Sequence, residues 1–182
     1  MTRTLRMLKR RASTLSLGLA AATLCCAPAG AQDDARAQEQ ATKAAMIYNF
    51  SRFTQWPDSR FTRPDDPVVV CIDPSDPLTT SLASIDGKPL DGRTLVVRRT
   101  SRIDHGCTMA YVSAASASDS HLESLKQAGV LTIGETPRFS RAGAIQLITI
   151  GRQVRFEVNP RNAADAGAHL SSNLMRLAVA VR

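Results

Sequence analysis

The chain has 182 residues and a formal net charge of +7, but this charge is unevenly distributed. Five of the 23 Lys and Arg residues and none of the 16 Asp and Glu residues lie in the first 31 positions. The remaining 151 residues carry 18 basic against 16 acidic side chains, a net charge of +2. With so small a net charge we expect no broad basic surface of the kind that nucleic-acid binding requires, and therefore no nucleic-acid partner.

The first 31 residues have the composition of a secretory signal peptide. A basic start is followed by the apolar run LSLGLAAATLCCA, and Ala29-Gly30-Ala31 matches the small-residue pattern of a cleavage site. We therefore predict that residues 1–31 are removed on export and that residues 32–182 form one periplasmic domain. The apolar run is short for a transmembrane helix. A retained anchor and lipidation at Cys25 or Cys26 are the alternatives.

The stretch KAAMIYNFSRFTQWP, residues 43–57, holds four of the eight aromatic residues of the chain. Met46, Phe50 and Phe53 recur at helical spacing, which predicts an amphipathic helix with these side chains on the core and Lys43 on another face. Trp56 precedes Pro57, and a residue before proline is pushed out of helical geometry. We therefore predict that this first helix ends at Trp56.

The middle of the chain alternates strand and helix patterns. Apolar runs at residues 67–73, 94–99, 108–113 and 130–135 predict buried strands, and helical patterns follow the first and the third of them. A capping box formed by Ser120 and Glu123 would start the second of these helices. Buried strands joined by helices predict an α/β fold, a single domain with a mainly parallel central sheet flanked by helices.

The last part of the chain has a different pattern. Residues 144–158 alternate between apolar and polar around Gly151-Arg152, which predicts an antiparallel β-hairpin. Asn159-Pro160 then has the residue types of a helix start. Apolar residues at helical spacing predict one long terminal helix: Leu170, Leu174, Leu177 and Val181.

Ligands of open α/β sheets bind beyond the carboxyl ends of the strands. In this chain those ends are small, polar and in part charged. The sequence therefore predicts a candidate ligand crevice lined by Ser75, Arg98, Ser113 and Glu135. Ordinary connecting loops explain the same residue types, and that alternative remains open.

No catalytic motif stands out in the sequence. A nucleophile elbow, a phosphate-binding glycine loop and a zinc-protease motif are all missing, and His105, His121 and His169 are scattered. We therefore predict a non-enzymatic protein without a cofactor or a metal site.

Cys71 and Cys107 are the two cysteines beyond residue 31. An even pair in an oxidising compartment is typical of one disulfide. If the strands follow a flavodoxin-like order, the first and third strands are neighbours, which would bring the two cysteines together. A structural crosslink and a redox-sensitive bond are both consistent with the sequence.

Several segments together resemble the YfiR family, also listed as a domain of unknown function. They follow the family order over almost the whole chain after residue 31: KAAMIYNFSRFTQWP (43–57), VVVCID (68–73), GKPLDGRTLVVRR (87–99), HGCTMAYVS (105–113), VLTIGETPRFSRAGAIQLI (130–148) and VRFEVNPRNAADAGAHLSSNLMRLA (154–178).

The resemblance implies a periplasmic protein that binds and represses the periplasmic sensor region of an inner-membrane diguanylate cyclase. Repression of this kind controls cyclic di-GMP and biofilm formation, and its loss under reducing conditions is implied for studied members. Cys71 and Cys107 match the better-conserved disulfide position of the family. A second cysteine pair known near the terminal hairpin is missing here, which weakens any redox role attached to that pair.

The resemblance also suggests where a partner would bind. Tyr48, Arg52 and Trp56 lie near the end of the first helix, and aromatic and arginine side chains are common anchors of interfaces. We predict that these three residues contribute to a partner-binding surface. The alternative is a periplasmic small-molecule sensor that acts on a different membrane receptor or kinase. Homodimer formation is compatible with exposed aromatic residues, and the sequence does not decide it.

Overall fold

The computed structural model of the chain describes residues 29–182. The predicted signal peptide therefore lies, apart from its last three residues, outside the described residues. Within them the chain forms five α-helices, which are α1 (Ala29–Arg52), α2 (Leu78–Leu82), α3 (Asp119–Gln127), α4 (Pro160–Asp165) and α5 (Ser172–Leu177).

The described strands form one large sheet and one small ribbon. In chain order they are β1 (Thr54–Gln55), β2 (Val68–Ile72), β3 (Pro89–Leu90), β4 (Arg93–Arg99), β5 (Met109–Val112), β6 (Leu131–Gly134), β7 (Ile145–Ile150), β8 (Gln153–Val158), β9 (His169–Leu170) and β10 (Ala180–Val181). The large sheet has the order β10-β8-β7-β6-β5-β2-β4-β3, and β1 pairs with β9 in the ribbon.

The centre of the large sheet is parallel. Strand β2 lies between β4 and β5 and runs parallel to both, and β5, β6 and β7 continue in the same direction. Strands β7 and β8 form the predicted antiparallel hairpin. The predicted α/β fold class is confirmed, and so is the adjacency of the first and third core strands.

Side chains of β2 explain why helices cover both faces of the sheet. Val68, Val70 and Ile72 belong to a core cluster shared with α1 and α2, whereas Val69 and Cys71 point into a second cluster under α3. Strands buried on both faces are expected at the centre of a parallel sheet.

The first helix packs its apolar stripe on the sheet but ends earlier than predicted. Ile47 and Phe50 are completely buried, and the Phe50 ring meets the Phe156 ring edge-on at 5.0 Å between centroids. The helix ends at Arg52 and not at Trp56, because Thr54 and Gln55 leave it to pair with β9. The Thr54 hydroxyl donates to the carbonyl of Phe50 at 2.7 Å.

One long terminal helix was wrongly predicted, because the chain instead forms α4, β9, α5 and β10. Gly167 adopts a left-handed conformation with φ of +72°, and the Ala168 amide bonds back to Ala163, which ends α4. Ser171 then caps α5. Of the predicted stripe, Leu170 and Leu174 are buried, whereas Leu177 and Val181 are exposed.

Candidate functional site

A cavity of about 360 Å³ lies at the carboxyl ends of β2, β5 and β6. Its lining comes from α1, from the turn before α2, and from the segments that end β5 and β6. The lining residues are Gln40, Lys43, Asp76, Pro77, Tyr111, Ala114, Glu135, Thr136 and Pro137. This cavity, called the strand-end crevice below, opens between neighbouring strands β2 and β5, whose connections leave in opposite directions. Such a switch point is where open α/β sheets bind ligands.

Lys43 forms the centre of the charged groups in the strand-end crevice. Lys43 is only 4% exposed, and its Nζ lies 2.7 Å from Glu39 Oε1 and 2.8 Å from Glu135 Oε2. Burial by itself lowers the pKa of this ammonium. The hydrogen bonds that Lys43 donates to Glu135 and Glu39 outweigh burial, so the pKa of Lys43 lies above its ordinary value and the side chain stays charged.

Glu135 is held by two donors from different elements. Tyr111 donates its hydroxyl to Glu135 Oε1 at 2.7 Å, and Lys43 donates to the other carboxylate oxygen. Burial, reinforced by the hydrogen bond to Glu135 and by the Glu135 charge, raises the pKa of Tyr111 well above its ordinary value. The phenol therefore stays protonated and fixes the orientation of Glu135.

Asp76 differs from Glu135 because no cation compensates it directly. Its Oδ1 accepts the amide of Leu78 at 2.9 Å, which starts α2. Within residues 29–182 it forms no ion pair. Burial, followed by the charges of Glu135 and Asp73, raises the pKa of Asp76.

Of the four residues predicted to line a ligand crevice, Glu135 lines this one. Ser75 is exposed and bonds Asp73 in its own turn. Ser113 contacts Ser116 in the next turn. Arg98 is exposed on β4 and donates to the carbonyl of Gly106 at 3.1 Å.

The sequence analysis missed Lys43, Asp76 and Tyr111 as crevice residues. Lys43 was assigned to another face of the helix, but it precedes Ile47 by four positions and Phe50 by seven. That spacing places it on the buried stripe, which was the available signal. Tyr111 lies within an apolar strand, where its hydroxyl gives no sign of a neighbouring carboxylate.

Of the three predicted partner-binding residues, Arg52 is exposed, whereas Tyr48 and Trp56 are half-buried and pack against the main core cluster. Arg52 is exposed at the end of α1, 5.9 Å from the Tyr48 ring centroid. Lys88 approaches the same ring at 5.2 Å, and the Tyr48 hydroxyl donates to Pro89. We call Tyr48, Arg52 and Lys88 the aromatic-cation face.

Trp56 is half-buried and packs against the main core cluster. It lines a second cavity of about 200 Å³ between β1, β2 and β3. Its indole nitrogen is buried and has no hydrogen-bond partner among the described residues. Packing of this kind gives Trp56 a structural role in addition to any contact with a partner.

Cys71 and Cys107 form the predicted disulfide, with 5.7 Å between their Cα atoms. Both residues are completely buried, under α3. The turn that carries Cys107 is held further by Arg60, whose guanidinium donates to Cys107 at 2.6 Å and to His105 at 2.8 Å.

Comparison with known proteins adds family information to this geometry. A family model described as DUF4154, YfiR/HmsC-like, matches residues 40–179. No curated protein matches the chain significantly. A crystal structure of a conserved domain protein from Vibrio cholerae O1 biovar El Tor str. N16961 is similar in fold, with a TM-score of 0.51 and 12% identity. The alignment covers 79% of this chain and 60% of that chain, so this chain spans less than two thirds of that protein's length.

Two negative findings concern the described part of the chain. None of its helices is both long enough and apolar enough to cross a membrane. Between residues 29 and 182, no three His, Cys, Asp or Glu side chains converge in the way that a metal ion needs.

Proposed function

This chain belongs to the YfiR/HmsC-like family, and we propose that it binds and represses the periplasmic sensor region of an inner-membrane diguanylate cyclase. At the level of the family, membership supports a periplasmic regulator of a diguanylate cyclase pathway and a regulatory domain in place of an enzyme. The match over residues 40–179 is the observation that carries the proposal. Removal of residues 1–31 during export and a single domain over residues 32–182 are parts of the same proposal.

The aromatic-cation face supports a contact surface at the end of α1. Arg52 and Lys88 lie near the Tyr48 ring, so a polar and an aromatic group are presented together. Interfaces are enriched in tyrosine and arginine, since each combines a large contact surface with a polar end. Trp56 is a less suitable probe of this surface, because its replacement also removes core packing.

The test is co-purification of the tagged protein from detergent-solubilised membranes, with and without reductant. We expect a diguanylate cyclase to be recovered in both conditions, because the disulfide is buried. Arg52→Ala is expected to reduce recovery by about tenfold, which corresponds to a loss of about 1.4 kcal/mol at an interface residue. Arg102→Ala, an exposed arginine in the loop after β4, is the matched control. The proposal is wrong if folded protein recovers no diguanylate cyclase.

The strand-end crevice favours a second candidate function. A cavity at the switch point of the sheet, with charged groups from α1, the turn before α2 and the segment after β6, supports a small-molecule sensor that acts on a different membrane receptor or kinase. Recovery of a receptor or kinase in place of a cyclase would favour this candidate. Homodimer formation remains a prediction that the elution volume of the purified protein tests.

A further inference from the structure

The lining of the strand-end crevice contains both apolar and charged side chains. Pro77, Ala114, Pro137 and the ring of Tyr111 supply the apolar surface, and Asp76 and Glu135 supply carboxylates. Its volume of about 360 Å³ lies near the lower end of the range for small-molecule sites. The crevice therefore fits a small molecule with an apolar body and a polar end.

The side chains in and around the crevice carry a net negative charge. The Lys43 ammonium lies within 2.8 Å of two carboxylates, those of Glu39 and Glu135, so its single charge is already compensated. Asp76 lines the same cavity and has no ion-pair partner among residues 29–182. One of its oxygens accepts the Leu78 amide, and the other makes no hydrogen bond within the described chain.

Lys43 is what separates this arrangement from a simple cluster of acidic residues. Its side chain is more than nine-tenths buried, lines the cavity and reaches Glu135 from the helix above. The ammonium therefore occupies the place where an ion would have to sit to bridge Glu39 and Glu135. A metal ion that bridged Glu39 and Glu135 would have to displace this ammonium. An organic cation at Asp76 would lie beside the ammonium, where the carboxylates of Asp76 and Glu135 offset the repulsion between the two positive charges.

We propose that the strand-end crevice binds a small organic ammonium compound, with its charged nitrogen at Asp76 and the open side of Glu135 and its apolar body between Pro77 and Pro137. The proposal rests on the ligand-sensing function above and needs no particular membrane partner. An ammonium group donates hydrogen bonds to both carboxylates, and such charge-assisted bonds are stronger than neutral ones.

The test uses the ¹⁵N-labelled protein, produced by export of the full chain, and benzylammonium as the probe. Benzyl alcohol and benzoate are probes of the same shape without the positive charge. An ordinary ligand efficiency gives so small a probe a Kd of about 20 mM, so the titration extends to several times that concentration. We expect saturable shifts of the backbone amides of Asp76, Ala114 and Thr136 with benzylammonium, and no saturable shifts with the two controls at equal ionic strength.

Asp76→Asn keeps the oxygen that accepts the Leu78 amide and removes the charge. We expect it to weaken benzylammonium binding by about tenfold. Asp165→Asn is the matched control, because α4 follows β8, which runs antiparallel to β7 and so ends at the opposite edge of the sheet.

Three results would overturn the inference. They are equal binding of benzyl alcohol or benzoate, saturable Ca²⁺ binding at the same amides that excludes benzylammonium, and the lack of any saturable shift. The titration uses the isolated protein without a membrane partner, so none of these results tests repression of a cyclase. Conversely, a failed co-purification leaves an observed benzylammonium site intact.

Discussion

Asp76 is a half-buried carboxylate that the fold does not neutralise. Burial and the nearby charges of Glu135 and Asp73 raise its pKa, so the ionised form is less stable in the folded chain than in the unfolded chain. Carboxylates whose charge destabilises the fold are found mainly at functional sites, which is consistent with a binding role for Asp76.

We predict that Asp76→Asn stabilises the protein at pH 7 but not at pH 3. A carboxyl with a raised folded pKa favours the folded state when protonated, so wild-type stability is lost as pH rises from the ordinary Asp value through the raised value. The neutral amide escapes this loss and still accepts the Leu78 amide. Urea unfolding of both proteins at the two pH values measures the difference.

Asp165→Asn controls for the loss of one negative charge. Asp165 is exposed at the end of α4, at the opposite edge of the sheet from the strand-end crevice, and its contact with Lys126 is long at 3.8 Å. A stabilisation by Asp76→Asn that is as large at pH 3 as at pH 7 would contradict the assignment of the cost to the ionised carboxylate.

Glu135 and Lys43 show what the sequence can say about single residues of the site. Glu135 follows an apolar strand directly, and the carboxyl ends of parallel strands meet at one edge, so its place in the crevice was predictable. Lys43 pairs with a residue 92 positions away. Helical spacing marks it as buried, but only the packing of α1 on the sheet determines which carboxylates surround it.

Helix α3 begins two residues earlier than the capping-box prediction required. The structure places the cap at Ser118, whose hydroxyl oxygen accepts the amide of His121, and Ser120 lies within the helix. Both serines precede the apolar stripe by distances that satisfy a cap, which explains why the sequence did not distinguish them.

Ser118→Ala is predicted to destabilise the protein by about 1 kcal/mol, the usual cost of a lost cap. Ser120→Ala is the matched control, and we expect it to have a much smaller effect because Ala is the better helix former. The free energy of unfolding in urea measures both. Equal losses for the two variants would show that Ser118 does not act as the cap.

The disulfide links β2 to the entry of β5, and its burial predicts slow reduction. Cys71 and Cys107 are completely buried, and Arg60 holds the turn beside Cys107. A reductant therefore reaches the sulfurs only after this region opens. We expect dithiothreitol to reduce the bond at a rate that follows unfolding, measured by mass-labelling of thiols with and without urea.

The double variant Cys71→Ser, Cys107→Ser measures how much the disulfide adds to the free energy of unfolding. The loop between the cysteines spans 36 positions, and the chain-entropy estimate gives a loss of up to about 4 kcal/mol. Rapid reduction of the native protein, without loss of structure, would instead support a redox-regulated bond.

Elements with local signals were predictable, and elements formed by distant pairing were not. Continuous apolar runs identified the four central strands, and the alternation around Gly151 identified the hairpin. Strand β1 has two residues and exists because it pairs with β9, more than one hundred positions away. The same pairing removes β9 from the predicted terminal helix, since its residues satisfy their backbone groups on β1 in place of a helical turn.

At the scale of the whole molecule, α1 carries residues of both candidate sites. Lys43 reaches into the strand-end crevice, and Arg52 lies on the aromatic-cation face nine residues later, about 13 Å along the helix axis. Between them Ile47 and Phe50 are fixed in the core. A ligand that changes the contact between Lys43 and Glu135 therefore changes the position of α1, the same rigid helix that carries Arg52.

We predict that benzylammonium at saturation changes the Kd for the recovered membrane partner by about fivefold or more, the lower end of ordinary coupling between sites. Because coupling of binding free energies is reciprocal, the partner must change the Kd of benzylammonium by the same factor. Asp76→Asn should bind the partner normally but require about tenfold more amine for the same effect, since Asp76 lies in the crevice and not on the aromatic-cation face. Titration of the purified partner domain with and without the amine measures the effect. An unchanged Kd with the crevice saturated would mean that α1 transmits nothing between the two sites, so that the crevice and the partner surface work independently.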